Sequence, residues 1–250
     1  MGYKEFCYSL YYLLRDVLVP GLNNSQYEYR DLLTKYIHRE TLWLDLGCGH
    51  EFFPAWMTSG VEHGNTLVGN CGKVVGVDCD FPSVKNNHFI HRRLVSDGGF
   101  LPFKSDSFNL ITANMVVEHI EFPDQVLGEI ARVLKPGGIF IFHTPNFLNY
   151  MTIIASLLPN RLKLKLIRIL EGREENDIFP TFYRLNTPRL VAKYADRQKL
   201  KVQELVLTKT SAETIMLGPL VIVELLLTKL CEWPVLRNFR SIIIGVLKKR

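Results

Sequence analysis

"WLDLGCGH", residues 43–50, is an apolar run that closes on one carboxylate and on two glycines with a single small residue between them. A β-prone run, Thr41–Leu46, followed at once by glycines is the pattern of a strand that turns sharply beneath a ligand. From there the chain alternates. Lys73–Val77 ends at Asp78, Ile90–Val95 precedes Asp97, Phe108–Ala113 leads to Asn114, and Ile139–His143 closes the series. Before that last run, Val126, Leu127, Ile130, Val133 and Leu134 recur at helical spacing, with Pro123 near the start and "KPGG" as the stop. Upstream, Tyr27–Arg39 reads as a helix. Strands and helices in alternation predict an α/β fold with a doubly wound, mostly parallel sheet, because parallel neighbours need crossover connections.

In such a sheet the ligand lies beyond the carboxyl ends of the strands. Asp45, Asp78 and Asp97 therefore fall on one rim, beside the turn made by Gly47 and Gly49. Bare backbone lets a ligand approach closely, and a carboxylate ending the second strand can accept hydrogen bonds from both hydroxyls of a ribose. The implied ligand contains a nucleoside. Phe52 stands where a dinucleotide fingerprint has its third glycine, and Asp45 beside the turn would repel a pyrophosphate and favour a cation such as an amino group.

Four stretches, "WLDLGCGH", "VVGVDCD", "SDGGFLPFKSDSFNLITANMVVEHI" and "EIARVLKPGGIFIFHTPN", resemble in order and separation the motifs of class I S-adenosylmethionine-dependent methyltransferases. The resemblance covers residues 40–146. It implies S-adenosyl-L-methionine as cofactor, with Asp45, Gly47, Cys48 and Gly49 at its methionine end, Asp78 on the ribose, Asp97 at the adenine amino group and Asn114 on the same rim. Many members carry a third glycine where this chain has Glu51, so the loop His50–Phe53 is a departure from the pattern. The chemistry implied is in-line methyl transfer, in which a base is needed only for a hydroxyl or protonated amine acceptor. His119 in "VVEHI" is the first candidate for that base, and His143 in "FHTPN", expected at the cleft mouth, is the second. Glu118 reads as a solvated neighbour, and Phe52, Phe53 and Trp56 read as core in preference to packing under the cofactor. Two other readings are a nicotinamide-dependent oxidoreductase, which the missing third glycine opposes, and a nucleoside-binding protein without catalysis.

Residues 1–250 are expected to form a single methyltransferase domain: a helical cap over 1–40, the cofactor-binding core over 41–146, a helical insertion or lid over 147–200, and final strands over 201–250 around an inserted apolar helix. Val202–Thr208 and Ser241–Leu247 would form a closing antiparallel hairpin. "NTPRL" predicts a helix start, capped by Thr187 with Pro188 at the first helical position. Tyr27, Arg30, Tyr183 and Arg184 are contact candidates that the sequence does not rank above surface residues. Within "LLPNRLKLKLIRIL", helical geometry puts Arg161, Lys165 and Arg168 on one side and Leu162, Leu166 and Ile169 on another, which suits a lid or an anionic membrane surface. "TIMLGPLVIVELLLTKL" is interrupted by Gly218, Pro219 and Glu224 and is too short to span a bilayer. It suits a lid or an interfacial helix, or else a core helix capping the sheet edge or a dimer face.

Lys and Arg number 30 against 25 Asp and Glu, a net charge of +5, with the basic residues gathering after residue 160. They do not interleave with aromatics, so nucleic acid is not the favoured partner, and a small-molecule or a lipid- or glycan-linked acceptor is expected. The five cysteines lack the spacing of a zinc site or a disulfide framework, so no metal is expected and the thiols read as reduced. Without a cationic leader the chain reads as cytoplasmic, with peripheral contact to a membrane surface.

Overall fold

A computed structural model describes residues 2–54, 56–158 and 179–250. The chain forms two compact units. A sheet unit comprises Glu28–Thr144, Thr181–Val206 and Ile243–Arg250, and a helical unit comprises Met1–Tyr27, Pro145–Pro180 and Leu207–Ile242. The segment expected as a cap over 1–40 is thus shared between the two units, as is the insertion expected over 147–200. The amphipathic run 161–169 lies outside the described residues.

The sheet unit is built on β1 (Leu42–Leu46), β2 (Lys73–Asp78), β3 (Arg93–Val95), β4 (Phe108–Asn114), β5 (Leu134–Pro145), β6 (Leu200–Thr208) and β7 (Ile242–Lys249), in the spatial order β3-β2-β1-β4-β5-β7-β6. β1 to β5 pair in parallel, with Asp45 opposite Gly76 on one side and Thr112 on the other. At the far edge, the Lys249 ammonium donates to the Leu134 carbonyl at 2.6 Å and the Arg250 N–H to the Lys199 carbonyl at 3.2 Å. The end of β7 therefore lies beside the beginnings of β5 and β6, which makes the closing hairpin antiparallel. The expected α/β architecture is the observed one.

Helices α3 (Gly60–Asn70), α4 (Phe81–Asn86) and α5 (Pro123–Val133) make the crossovers that parallel pairing requires. The buried stripe of α5, Val126, Leu127, Ile130 and Val133, follows the expected spacing. Each such side chain stabilises the fold by about 1.5–3 kcal/mol on burial. Its end differs from expectation: Leu134 already pairs with Phe108, and Lys135–Gly138 loop out before Ile139 pairs with Leu110. The "KPGG" stretch therefore interrupts a strand after the helix has ended. β3 is shorter than predicted, because Ile90 is held in the preceding loop by the Asn87 side chain, whose oxygen accepts its N–H at 2.9 Å.

α2 (Ser25–Tyr36) stops before Arg39, as the Thr41 hydroxyl donates to the Tyr36 carbonyl at 3.2 Å and accepts the His38 N–H at 3.0 Å. This satisfies groups that the helix end leaves open. The Thr187 hydroxyl accepts the Leu190 N–H at 3.3 Å and caps α7 (Pro188–Arg197) as read from the sequence.

The helical unit contains α1 (Tyr3–Leu18), α6 (Tyr150–Leu157) and α8 (Val221–Leu230). Tyr11, Val19, Leu22, Ala212, Val221 and Leu225 form its core. The apolar stretch 214–230 is not one helix: Gly218 at φ 60° and ψ −125° breaks it, and a short 3₁₀ turn precedes α8. Among the described residues no helix is long and apolar enough to cross a membrane.

Candidate functional site

The site starts from β1. The strand is buried from Trp43 to Leu46, its alternation puts Trp43 and Asp45 on one face, and the two are linked through β4: the Trp43 indole donates to the Thr112 hydroxyl at 2.6 Å, which donates to the Asp45 carboxylate at 2.6 Å. Among the described residues that is the one hydrogen bond Asp45 receives, and the group is only 6% exposed. Burial therefore pushes its pKa up to about 7, the Thr112 hydroxyl opposes the rise, and the charge of Asp78 adds to it. Tyr29 of α2, buried beside Asp45, is raised well above the ordinary phenol value by burial and by that carboxylate.

After β1 the backbone turns through Gly47 at φ 68° and Gly49 at φ 50°. At Gly47 a side chain is excluded twice, since a Cβ would also lie 2.2 Å from Val116 Cγ2. The turn is tied to β2. The Gly47 and Cys48 N–H groups donate to the Val77 carbonyl at 2.7 and 3.0 Å, and the Gly49 N–H donates to Asp78 Oδ2 at 2.9 Å. Asp78 Oδ1 accepts the Asp80 N–H at 2.9 Å. From the other side the fully buried Asn87 amide donates to the Cys48 and Gly49 carbonyls at 3.2 and 3.0 Å, while its oxygen accepts the Phe89 and Ile90 N–H groups at 3.0 and 2.9 Å. One side chain thus clamps the glycine turn to the loop before β3.

The turn, β1, β4 and α2 form a small pocket, partly open to solvent, lined by Tyr29, Leu33, Trp43, Asp45, Gly47, Cys48, Glu51, Phe52 and Asn114. Phe52 stacks on Trp43, with ring centroids 5.0 Å apart. Asn114 donates to the Phe52 carbonyl at 3.3 Å, and its oxygen is 3.0 Å from His143 Nδ1, which fixes the amide orientation. His143 is 1% exposed with its ring 5.4 Å from that of Tyr29, and burial alone lowers its pKa to about 3. The imidazole is neutral at physiological pH and sits behind Asn114, not at the cleft mouth where the sequence reading put it.

Of the residues singled out from the sequence, Asp45, Gly47, Cys48 and Asn114 line the cavity, and Gly49 and Asp78 are bonded to each other at its edge. Asp97 is exposed and accepts the Gly99 N–H at 2.8 Å, outside the lining. His119 is half-buried in the 3₁₀ turn Val117–His119. Glu118, expected to be solvated, is buried and accepts from the Thr144 hydroxyl at 2.8 Å, because its turn folds back beneath the Phe182 and Tyr183 N–H groups. Phe52 and Phe53 are buried as expected, whereas Trp56 is exposed. On α2 the lining residues are Tyr29 and Leu33, and Arg30 pairs with Asp31 at 2.5 Å. The spacing of four between Tyr29 and Leu33 marks one helix face and could have found both. Thr112 and Asn87 leave no comparable signal, because their roles arise from pairing across the sheet and from a loop closure. Among the described residues no cluster of metal-ligating side chains occurs.

The cavity lining fits a cationic nucleoside. A buried carboxylate whose ionisation is disfavoured by burial and by a second carboxylate gains when an ammonium is placed beside it. The glycine turn supplies backbone where a side chain would intrude. A parallel sheet with such a turn after its first strand and an acid ending the second defines a nucleoside-cofactor-binding α/β protein. Residues 44–142 match the family described as "Methyltransferase domain". Among known proteins, the chain is 27% identical over 143 residues, 53% of this chain, to "Probable S-adenosylmethionine-dependent methyltransferase" of Mycolicibacterium smegmatis. It is 31% identical over 94 residues to the demethylmenaquinone methyltransferase of Streptomyces avermitilis, covering 34% of this chain and 41% of that protein. The chain spans 51% of the Mycolicibacterium protein's length. The structure of a geranyl diphosphate methyltransferase in complex with S-adenosylmethionine superposes with a TM-score of 0.53 at 14% identity, covering 89% of this chain and 84% of that one. Residues 44–142 thus match a methyltransferase domain, and the proteins this stretch is similar to include S-adenosylmethionine-dependent methyltransferases.

Proposed function

We propose that the protein transfers a methyl group from S-adenosylmethionine to a small-molecule or a lipid- or glycan-linked acceptor. The observation that carries this reading is the buried, under-solvated Asp45 carboxylate at the glycine turn, in a cavity walled by Trp43, Phe52 and Leu33. When bound, the cofactor supplies a methyl on a positively charged sulfur, and the bond to the acceptor forms as the carbon–sulfur bond breaks. The chain's own contribution is placement and exclusion of water. Asp45 holds the amino group of the methionine end, and Gly47, Cys48 and Gly49 present backbone to it. Asp78 accepts from the ribose hydroxyls with the lone pairs left over from the Gly49 and Asp80 N–H groups. Asp97 faces the adenine amino group, and Asn114, oriented by His143, fixes a ligand at the end of β4.

His119 takes the acceptor's proton where the nucleophile is a hydroxyl or an ammonium. His143 is poorly suited to that role, since a base with a pKa near 3 is a weak proton acceptor at neutral pH.

Calorimetric titration with S-adenosylhomocysteine, alongside NADH, tests the cofactor assignment. Binding of the first alone, weakened in Asp78→Ala, is the expected result, and a folded protein that binds neither overturns it. Transfer of labelled methyl to a lipid extract or to a panel of small acceptors tests the reaction. A chain that binds the cofactor yet methylates nothing is a binding protein and not an enzyme.

A further inference from the structure

α8 is built inside out. Its inward positions are Val221, Glu224, Leu225 and Thr228, whereas its outward positions Ile222, Val223, Leu226 and Leu230 are all apolar, with Lys229 at the flank. A helix facing water places its polar residues outward. Glu224 is satisfied where it is: its carboxylate accepts the Glu213 and Thr214 N–H groups at 3.0 and 2.8 Å, the Thr214 hydroxyl at 2.5 Å and the Tyr150 hydroxyl at 3.3 Å. The helix is therefore anchored by its polar side and has no reason to rotate. Beyond it, Trp233 is 64% and Val235 85% exposed in the turn that follows.

The same unit repeats the pattern on α1. Cys7, Tyr11, Leu14 and Leu18 form its inward face, and beside them a second stripe, Phe6, Leu13 and Val17, stays exposed. Exposed apolar surface on this scale marks an interaction site.

We propose that the helical unit docks on an anionic lipid bilayer, lying on it through the outward face of α8 and the turn 233–239. This surface does not depend on the methyl-transfer activity. Charge complementarity favours lipid. The exposed cations bordering the face include Lys229, whose ammonium also donates to the Leu18 carbonyl at 2.8 Å, and Arg237; residues 233–242 contain no Asp or Glu, Glu224 is buried, and the half-exposed Glu232 carboxylate is paired with Lys209. An isologous contact between two copies would set these cations against each other, with the adjacent acid, Glu232, already paired to Lys209. Anionic headgroups neutralise them instead, while Trp233 and Phe239 suit the boundary between headgroup and acyl chain. α8 has ten residues, so it lies on the bilayer and does not span it.

Flotation of the full chain with vesicles of phosphatidylcholine and phosphatidylglycerol, against vesicles of phosphatidylcholine alone, tests the proposal. The protein is expected to float with the anionic vesicles and to be released by salt. Leu226→Glu with Trp233→Glu should lower partitioning at least about tenfold, and Lys229→Ala and Arg237→Ala roughly fivefold each. Circular dichroism and S-adenosylhomocysteine titration accompany each variant. Neither Leu226 nor Trp233 lines the Asp45 cavity, so cofactor binding reports on the methyltransferase reading by itself. A wild-type chain that stays at the bottom of the gradient overturns the proposal, as does a folded glutamate variant that floats equally well. A dimer that becomes a monomer in that variant, with no vesicle binding by either, assigns the face to a second copy and overturns it too.

Discussion

Cofactor affinity should depend on pH through Asp45. In the ligand-free protein this carboxyl has a pKa near 7, set first by burial, against the Thr112 hydroxyl, and raised further by Asp78. An ammonium placed beside it favours the ionised form and lowers that pKa on binding. At high pH the carboxylate is already charged and binding needs no proton movement. As pH falls through 7, binding must first remove a proton. Dissociation constants for S-adenosylhomocysteine should then rise about tenfold from pH 8 to pH 6, a change of about 1.4 kcal/mol. Titration calorimetry in two buffers of different ionisation enthalpy should show about half a proton released near pH 7. The sign for folding is the opposite. A carboxyl whose folded pKa lies above its unfolded value destabilises the empty protein as pH rises from about 4 to 7, by roughly 4 kcal/mol at most. Asp45→Asn should therefore melt higher than the wild type at about pH 8 while binding the cofactor poorly and without pH dependence. A wild-type affinity that stays flat between pH 6 and pH 8 would refute the reasoning.

Asn87 and Gly47 give two structural tests. Asn87→Ala removes four hydrogen bonds around the turn and should cost at least about 2 kcal/mol of stability. Asn87→Asp keeps the acceptor for the Phe89 and Ile90 N–H groups but turns an oxygen toward the Cys48 and Gly49 carbonyls, so cofactor affinity should fall in both variants. An Asn87→Asp protein with normal affinity would show that the clamp does not position the turn. Gly47→Ala must accept φ 68° and a 2.2 Å approach to Val116, at about 1–3 kcal/mol. Thermal melting with and without S-adenosylhomocysteine checks it, and an unchanged ligand-induced shift would remove Gly47 from the site.

Periodicity made the sheet legible. The runs ending at Leu46, Asp78 and Asn114 are strands whose carboxyl ends meet, and α5 has the stripe that its apolar spacing foretells. The parts that were not legible depend on partners far away in sequence. Nothing around Thr112 announces that its hydroxyl bridges Trp43 and Asp45, since it faces them only once β4 pairs with β1. Asn87 reads as a loop residue until the chain closes on the glycine turn. His143 looked accessible because strand ends usually are, yet Tyr29 of α2 covers it. In α8 the composition "VIVELLLTKL" is apolar on nearly every side, so only the anchoring of Glu224 decides which face is left outward.

The two carboxylates of the site differ in what already holds them. Asp78 accepts two backbone N–H groups, from Gly49 and Asp80, whereas Asp45 accepts one hydroxyl. Backbone donors fixed by a turn stabilise a carboxylate without reorganisation, so Asp78 is preorganised and Asp45 is left in need of a cation. This asymmetry can be tested by removing one charge and reading the other. Asp78→Asn keeps an acceptor for one N–H, loses the other bond and should weaken cofactor binding by about 1–3 kcal/mol. It should also move the midpoint of the pH dependence below 7, because the neighbouring charge no longer opposes ionisation of Asp45. A weakened variant with an unmoved midpoint would mean that burial alone sets Asp45, and that the two acids serve the ligand independently.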